Sequence, residues 1–273
     1  MGNHCLLDRI LEPGALTVLF QPILEYSEGW WRLHALECLV RGPKGTNLEA
    51  ANVLFEYGRK KRAESLLDRA CVAAILHEAG RLPLAENLCL NVHASTLGRD
   101  AGFTDYLTRL AACYAIALSR ITIEIVEHTP YWDQPVFFNA LYELRKAGVK
   151  IALDDFGFGQ SNYRMVVDCW PEKLKLDRYI VKGCHADPCR QAIVESVMLF
   201  AARRGAQVIA EGVETPAELE TLMRLGVTLI QGYLFFRPLS RTELMECVRE
   251  GGTHFTLAAN NLDMLGRRNL NES

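Results

Sequence analysis

No apolar run in the sequence reaches the ~18 residues that a membrane-spanning helix needs, so no membrane segment is expected in this chain. Its start, MGNHCLLDRILEPG, lacks a basic region followed by an apolar stretch and does not read as a signal peptide. Leu6 stands where a myristoylation signal would place Ser or Thr. An excess of positive charge is also missing. The 30 Lys and Arg face 33 Asp and Glu, for a net charge of −3, so no polynucleotide partner is expected. The nine cysteines are odd in number and form no CxxC pair, which argues against a disulfide framework or a zinc site. The expectation is reduced thiols in a cytoplasmic protein. No internal repeat, low-complexity linker or second-domain signal interrupts the chain. The glycines of GFGQS (157–161) lack the placement of a dinucleotide fingerprint or a P-loop.

What is present is alternation. Eight strand-like runs occur at 16–23, 32–40, 86–92, 120–126, 149–156, 172–177, 206–213 and 227–233. Between them, apolar spacings of three and four predict helices over 64–80, 102–115, 135–147, 188–204 and 216–225. Gly80, Gly148, Gly205 and Gly226 are placed to close helices in the left-handed conformation. Strand–helix alternation predicts parallel strands covered by helices. Eight strands in 273 residues favour an α/β fold of the (β/α)8 TIM-barrel type over an open sheet. The first connection departs from that pattern. LEYSEGWW (24–31) is too short for a parallel crossover, so the first strand is expected to run antiparallel to the second. The chain divides into an N-terminal extension or short helix (1–15), a barrel domain (16–250) and a peripheral segment and tail (251–273).

Barrels of this kind carry their reactive groups at the C-terminal ends of the parallel strands. Those ends hold Glu37, Asn91, Glu124, Asp154 with Asp155, Lys175, Glu211 with Glu214, and Gln231. Each has an ordinary reading when taken alone. Asn91 suits a turn, Glu124 among Ile121, Ile123 and Ile125 suits a solvated sheet face, and Asp154–Asp155 suits a polar turn before Gly157. Glu211 and Glu214 suit the first turn of a helix. At successive strand ends, however, they converge on one face of a barrel whose interior should otherwise be apolar. Five or six carboxylates cannot all stay ionised there unpaired, and Lys175 alone is too little counter-charge. Divalent cations supply it, and oxygen donors favour Mg²⁺, Mn²⁺ or Ca²⁺ over zinc. A glycosidase would need only two carboxylates; the surplus, with Asn91 and Gln231, argues against that alternative.

The ordered motifs FQPI (20–23), ECLVR (37–41), NVHAS (91–95), IEIVE (123–127), DDFGFG (154–159), KLD (175–177), AEGVE (210–214), QGY (231–233) and RPL (237–239) resemble the EAL family of cyclic di-GMP phosphodiesterases over residues 16–250. The resemblance implies a (β/α)8 barrel with an antiparallel first strand, and metal-dependent hydrolysis of cyclic di-GMP to linear pGpG. By position it implies that Glu37, Asn91, Glu124 and Asp154 ligate a metal ion and that Asp155 ligates a second, with Asp154 between them. Lys175 matches the lysine that holds the attacking water, and Glu211 a catalytic or metal-associated glutamate. Gln231 and Glu214 match supporting positions, and Gln21 and Arg41, with Gln231, substrate contacts. Glu127 matches the anchor of the loop after Asp155, which couples dimer contacts to activity. Two Mg²⁺ or Mn²⁺ ions, inhibition by Ca²⁺ and a homodimer through the barrel complete what the resemblance implies.

Departures from the family pattern are few. Cys38 replaces the alanine of the name motif, and His93 stands at a usual serine, where an oxygen-rich site has no call for imidazole. Phe158 and Gln160 replace a small residue and an aromatic in the loop after the aspartates. That altered loop supports a second reading, a non-hydrolysing cyclic di-GMP receptor or interaction module of the same fold.

Overall fold

A computed structural model describes residues 6–126, 133–156 and 162–251. Glu127, Phe158 and Gln160 lie outside the described residues, as do residues 252–273 of the peripheral segment and tail expected over 251–273. The strands are β1 (Thr17–Ser27), β2 (Trp30–Arg41), β3 (Asn87–His93), β4 (Ile121–Val126), β5 (Lys150–Phe156), β6 (Lys173–Leu176), β7 (Gln207–Ala210) and β8 (Leu229–Ile230). They close in sequence order into a barrel. From β2 to β8 neighbours are parallel, while β1 is antiparallel to both β2 and β8. All eight expected runs become strands, and the first runs antiparallel as its short connection requires. The hairpin is tighter than LEYSEGWW suggests. Both strands extend into it and leave only Glu28 and Gly29 as the turn, with φ of 54° and 85°. Two positive φ angles in a two-residue loop match the right-handed twist of the flanking strands.

The five expected helices form at Glu64–Ala79, Phe103–Cys113, Gln134–Lys146, Pro188–Arg204 and Pro216–Arg224. Three begin on a side-chain cap followed by proline. Asp133 accepts from the Val136 amide, Asp187 from the Cys189 and Arg190 amides, and Thr215 forms a reciprocal capping box with Glu218. Gly148, Gly205 and Gly226 are left-handed as expected, with φ of 92°, 67° and 90°. Gly80 is not. Its φ is −63°, and a Cβ there would meet Tyr114 Cβ at 3.1 Å and the Leu76 carbonyl at 3.2 Å. Close packing, rather than backbone handedness, accounts for that glycine. A short helix spans Leu6–Leu11, within the expected N-terminal extension or short helix, and the helices Ala51–Lys60, Asn162–Cys169 and Arg241–Gly251 add to the expected set. No helix among the described residues is long and apolar enough to cross a membrane.

Strand alternation sorts the barrel into an outer and an inner face. Leu174 and Leu176 of β6, and Ile121, Ile123 and Ile125 of β4, pack outward in the main core with the helices. Ile23, Ala35, Cys89, Ile209 and Leu229 form a separate apolar plug inside the barrel. Cys38, Cys71, Cys89, Cys169 and Cys184 are buried cysteines that take part in no disulfide. Burial raises the thiol pKa of Cys38, Cys71 and Cys89, consistent with inert core residues.

A second polar group occurs on β1, β2 and β6. Lys173 is buried and lies 3.3 Å from His34 Nε2, while His34 Nδ1 lies 3.3 Å from Glu25 Oε2. Burial, reinforced by the Lys173 charge, lowers the His34 pKa despite the opposing pull of Glu25. The unfolded chain therefore binds the His34 proton first as pH falls. This contribution to stability is present above the unfolded pKa of 6.5 and is lost as pH falls through the folded value. Thermal melts between pH 7.5 and 5.5 should show a shallower decline for His34→Gln than for wild type. Identical slopes would remove His34 as the cause.

Candidate active site

The inward positions above the apolar plug carry the polar residues read from the strand ends. On β4, Glu124 points inward because its Ile neighbours point out. On β6, Lys175 alternates with Leu174 and Leu176 in the same way. Glu37 lies in register with Gln21 across the β1–β2 hairpin, and Asn91 with Glu124 across β3–β4. Glu211 and Gln231 immediately follow β7 and β8.

Lys175 stands at the centre of this layer and is 1% exposed. Its Nζ lies 2.6 Å from Glu211 Oε1, 2.8 Å from Glu124 Oε2, 3.1 Å from Asp154 Oδ1 and 3.3 Å from Glu37 Oε1. One ammonium thus touches four carboxylates. Burial opposes its charge, but Asp154, Glu124, Glu211 and Glu37 outweigh burial and hold its pKa well above the lysine value. The carboxylates respond in the opposite direction. Burial, against the pull of Lys175, raises Glu124 to about 7 and carries Glu211 well above its usual range.

Two amides grip Glu37. Asn91 Nδ2 donates to Oε1 at 3.1 Å and Gln231 Nε2 donates to Oε2 at 2.5 Å. Both amide groups therefore turn their oxygens elsewhere. Asn91 Oδ1, Gln231 Oε1 and Glu124 Oε1 are buried without a hydrogen-bond partner. Buried polar atoms normally have partners, so three orphaned oxygens beside an acidic ring are what a cation-binding site presents.

Asp154 and Asp155 are consecutive on β5 and should face opposite sides of the sheet. The pairing of β5 with β6 shifts register between Leu153 and Phe156, and Asp155 adopts φ 51°. This bulge turns both side chains to the same mouth. Oxygens of Asp154, Asp155 and Glu211 lie within 4.8 Å of one another, close enough to share a metal ion. Burial, with Asp154 and Asp177 nearby, raises the Asp155 pKa to about 7. All donors are hard oxygens from carboxylates and amides, so the residues present fit Mg²⁺, Mn²⁺ or Ca²⁺.

The cleft above the ring has two lobes that meet at Glu37, Leu39 and Asp155. The first, 410 Å³, includes Arg41, Asn91 and Asp154; the second, 270 Å³, includes Gln21, Glu211 and Gln231. Gln21 donates to the Phe236 carbonyl at 3.1 Å, and Arg41 to the Val40 carbonyl at 3.0 Å. Glu214 stands apart from the ring on the second lobe, 2.7 Å from Arg178 Nη2. His93 borders the first lobe, its Nδ1 2.8 Å from Asp68 Oδ1. Asp68 is fully buried and also accepts from the His93 amide at 2.9 Å and Thr96 Oγ1 at 2.5 Å. The helix Ala51–Lys60 contributes Asn52, Phe55 and Arg59 to the first lobe. Its i, i+3, i+7 spacing was the one available sign of a helix face there.

The chain belongs to the EAL domain family, whose model matches residues 5–238. It is 32% identical over 256 residues to the cyclic di-GMP phosphodiesterase NbdA of Pseudomonas aeruginosa, an alignment covering 89% of this chain and 31% of that protein. The chain thus spans about a third of the length of that curated relative. Among solved structures it resembles a standalone EAL protein from Vibrio cholerae O395 in its c-di-GMP-bound form, with TM-score 0.72 and 27% identity. That match covers 83% of this chain and 93% of the other. A Klebsiella pneumoniae BlrP1 manganese and cyclic di-GMP complex matches with TM-score 0.75 and 30% identity, over 84% of this chain and 58% of that one.

Proposed function

We propose that this chain is a metal-dependent phosphodiesterase that hydrolyses one bond of cyclic di-GMP to give linear pGpG, acting in the cytoplasm. The single observation that carries the reading is the buried acidic ring around Lys175, with its three orphaned oxygens, at the floor of a two-lobed cleft. Glu37, Asn91, Glu124, Asp154, Asp155 and Glu211 would hold two Mg²⁺ or Mn²⁺ ions, with Asp154 shared. When bound, such ions supply the positive charge that admits a diester anion and make a water more acidic. Lys175 orients the attacking water and offsets charge on the phosphoryl oxygens. Glu211, 2.6 Å from that ammonium, is placed to accept the water proton. A new P–O bond forms as the bond to the 3′-oxygen breaks, and that oxygen takes a proton from solvent. Gln21, Arg41 and Gln231 position the ligand, Arg41 on phosphate. Glu214 keeps Arg178 at the rim of the second lobe. Glu127 is assigned the loop-anchor role through the family resemblance alone.

Ca²⁺ would occupy the same oxygens and inhibit. A homodimer through the barrel is part of this reading. Phe138, Tyr142, Tyr163, Val167 and Trp170 are exposed on or just beyond the helices Gln134–Lys146 and Asn162–Cys169, an aromatic surface suited to a second copy.

Incubation of the purified protein with cyclic di-GMP and Mn²⁺ should yield pGpG, and EDTA should stop it. Glu37→Ala, which removes the carboxylate gripped by Asn91 and Gln231, should abolish turnover. Unchanged turnover in that variant would misplace the site. Binding of cyclic di-GMP by wild type with no pGpG formed would replace the enzyme reading by the receptor one.

A further inference from the structure

The first lobe of the cleft has a wall that none of the roles above uses. Asn52, Phe55 and Arg59 face it from one side of the helix Ala51–Lys60. The half-buried Phe55 ring lies 5.5 Å from the His93 ring, at an interplanar angle of 57°. Arg59, one turn further along, is also half-buried. Among the described residues its guanidinium makes no hydrogen bond or ion pair, although it borders a cleft whose floor is acidic. A guanidinium fork with no hydrogen-bonded protein partner at the wall of a cleft keeps all its donors for a ligand bound there.

The chemistry of that ligand follows from the pair. An aromatic face offers a platform on which a nucleobase stacks, and stacking alone is tolerant of sequence. A rigid fork of donors at the edge of the platform is selective. Guanine presents two acceptors there, O6 and N7, and can receive both donors of a guanidinium. Adenine presents one acceptor, N7, beside the donor N6–H₂, and leaves one guanidinium N–H facing another donor. Arg41 is differently placed. It ends the strand that carries Glu37, beside the metal-binding floor, and suits the diester rather than a base.

We infer that Arg59 and Phe55 are the base-selecting residues of the first lobe: Phe55 stacks one guanine of the ligand and Arg59 reads its O6/N7 edge. This rests on the cyclic di-GMP reading and adds the origin of its base specificity. The test is equilibrium binding of cyclic di-GMP and cyclic di-AMP to wild type, Arg59→Ala, Arg59→Lys and Phe55→Leu, in Ca²⁺ buffer with the ligand recovered intact.

Wild type should prefer cyclic di-GMP. Arg59→Ala should weaken cyclic di-GMP about 10–100-fold and leave cyclic di-AMP within about threefold, so that discrimination collapses. Arg59→Lys retains the charge but not the fork, and should not restore discrimination. Phe55→Leu should weaken both ligands, because stacking does not read the base edge. Equal loss of both ligands in Arg59→Ala would make Arg59 a phosphate contact and overturn the inference. Unchanged binding of both would overturn it too, leaving the cyclic di-GMP reading intact. Wild type that binds neither dinucleotide would overturn the functional reading itself, and this inference with it.

Discussion

Replacing Lys175 by methionine should lower the melting temperature of the metal-free protein by about 10 °C and reduce Mn²⁺-saturated turnover by about 10²–10³-fold. The stability effect follows from contact with four carboxylates within 3.3 Å by a cation that is itself 1% exposed. Removing one partner of a buried pair typically costs about 3–5 kcal/mol, because the remaining charge loses its compensation. Methionine fills similar space, so the loss reports charge rather than a cavity. Mn²⁺ should restore most of the stability. A cation at 100 times its Kd contributes about 2.7 kcal/mol to the folded state, and it occupies oxygens that Lys175 would otherwise neutralise. Turnover should not recover with it, since the variant lacks the group that orients the water. Melting curves in EDTA and in Mn²⁺, beside product formation, separate the two roles. A variant that melts like wild type in EDTA would show that the carboxylates do not depend on Lys175. One that turns over normally in Mn²⁺ would reduce the lysine to a stand-in for metal.

The sequence made the inward residues of β4 and β6 visible because alternation is strict there. Glu124 between outward isoleucines and Lys175 between outward leucines can only point into the barrel once the flanking residues are committed to the helices. The short first connection likewise left no choice of strand direction. Other features depend on contacts that local pattern does not record. ANVLFEYGRK forms a helix although Gly58 lowers its propensity. A Cβ at Gly58 would lie 2.8 Å from Leu67 Cδ2, so tertiary contact, not local preference, explains the residue. Missing that helix meant missing Asn52, Phe55 and Arg59 as cleft residues. The same holds for Asp68, a helix residue that local pattern does not single out and that is buried against His93 and Thr96. Gly80 misled in the opposite direction, since its position at a helix end suggests handedness and the structure uses its small size.

Asp155→Asn should leave the metal-free protein at least as stable as wild type and reduce turnover by more than the about 10–100-fold typical of residues outside the metal's own ligands. The argument begins with the backbone. Asp155 has φ 51°, a conformation that asparagine tolerates and most other residues do not. The amide keeps that fit and removes a negative charge from beside Asp154 and Asp177, where burial and like charge already raise the Asp155 pKa to about 7. The substitution therefore relieves like charge in the metal-free fold, and the amide can still donate to Asp177 as the protonated carboxyl does. The cation site does, because Asp155 supplies one of the three oxygens that lie within 4.8 Å of one another. The Mn²⁺-induced rise in melting temperature should shrink together with turnover. Asp155→Ala provides the contrast. It removes the same charge but places a residue poorly suited to positive φ, at a cost of about 1–2 kcal/mol, so it should be less stable than Asp155→Asn at equally low activity. Full turnover and an unchanged Mn²⁺ response in Asp155→Asn would show that the bulge in β5 serves packing alone. Loss of metal response with stability retained would identify it as strain kept for the site, in which a left-handed residue brings two consecutive carboxylates to one cation.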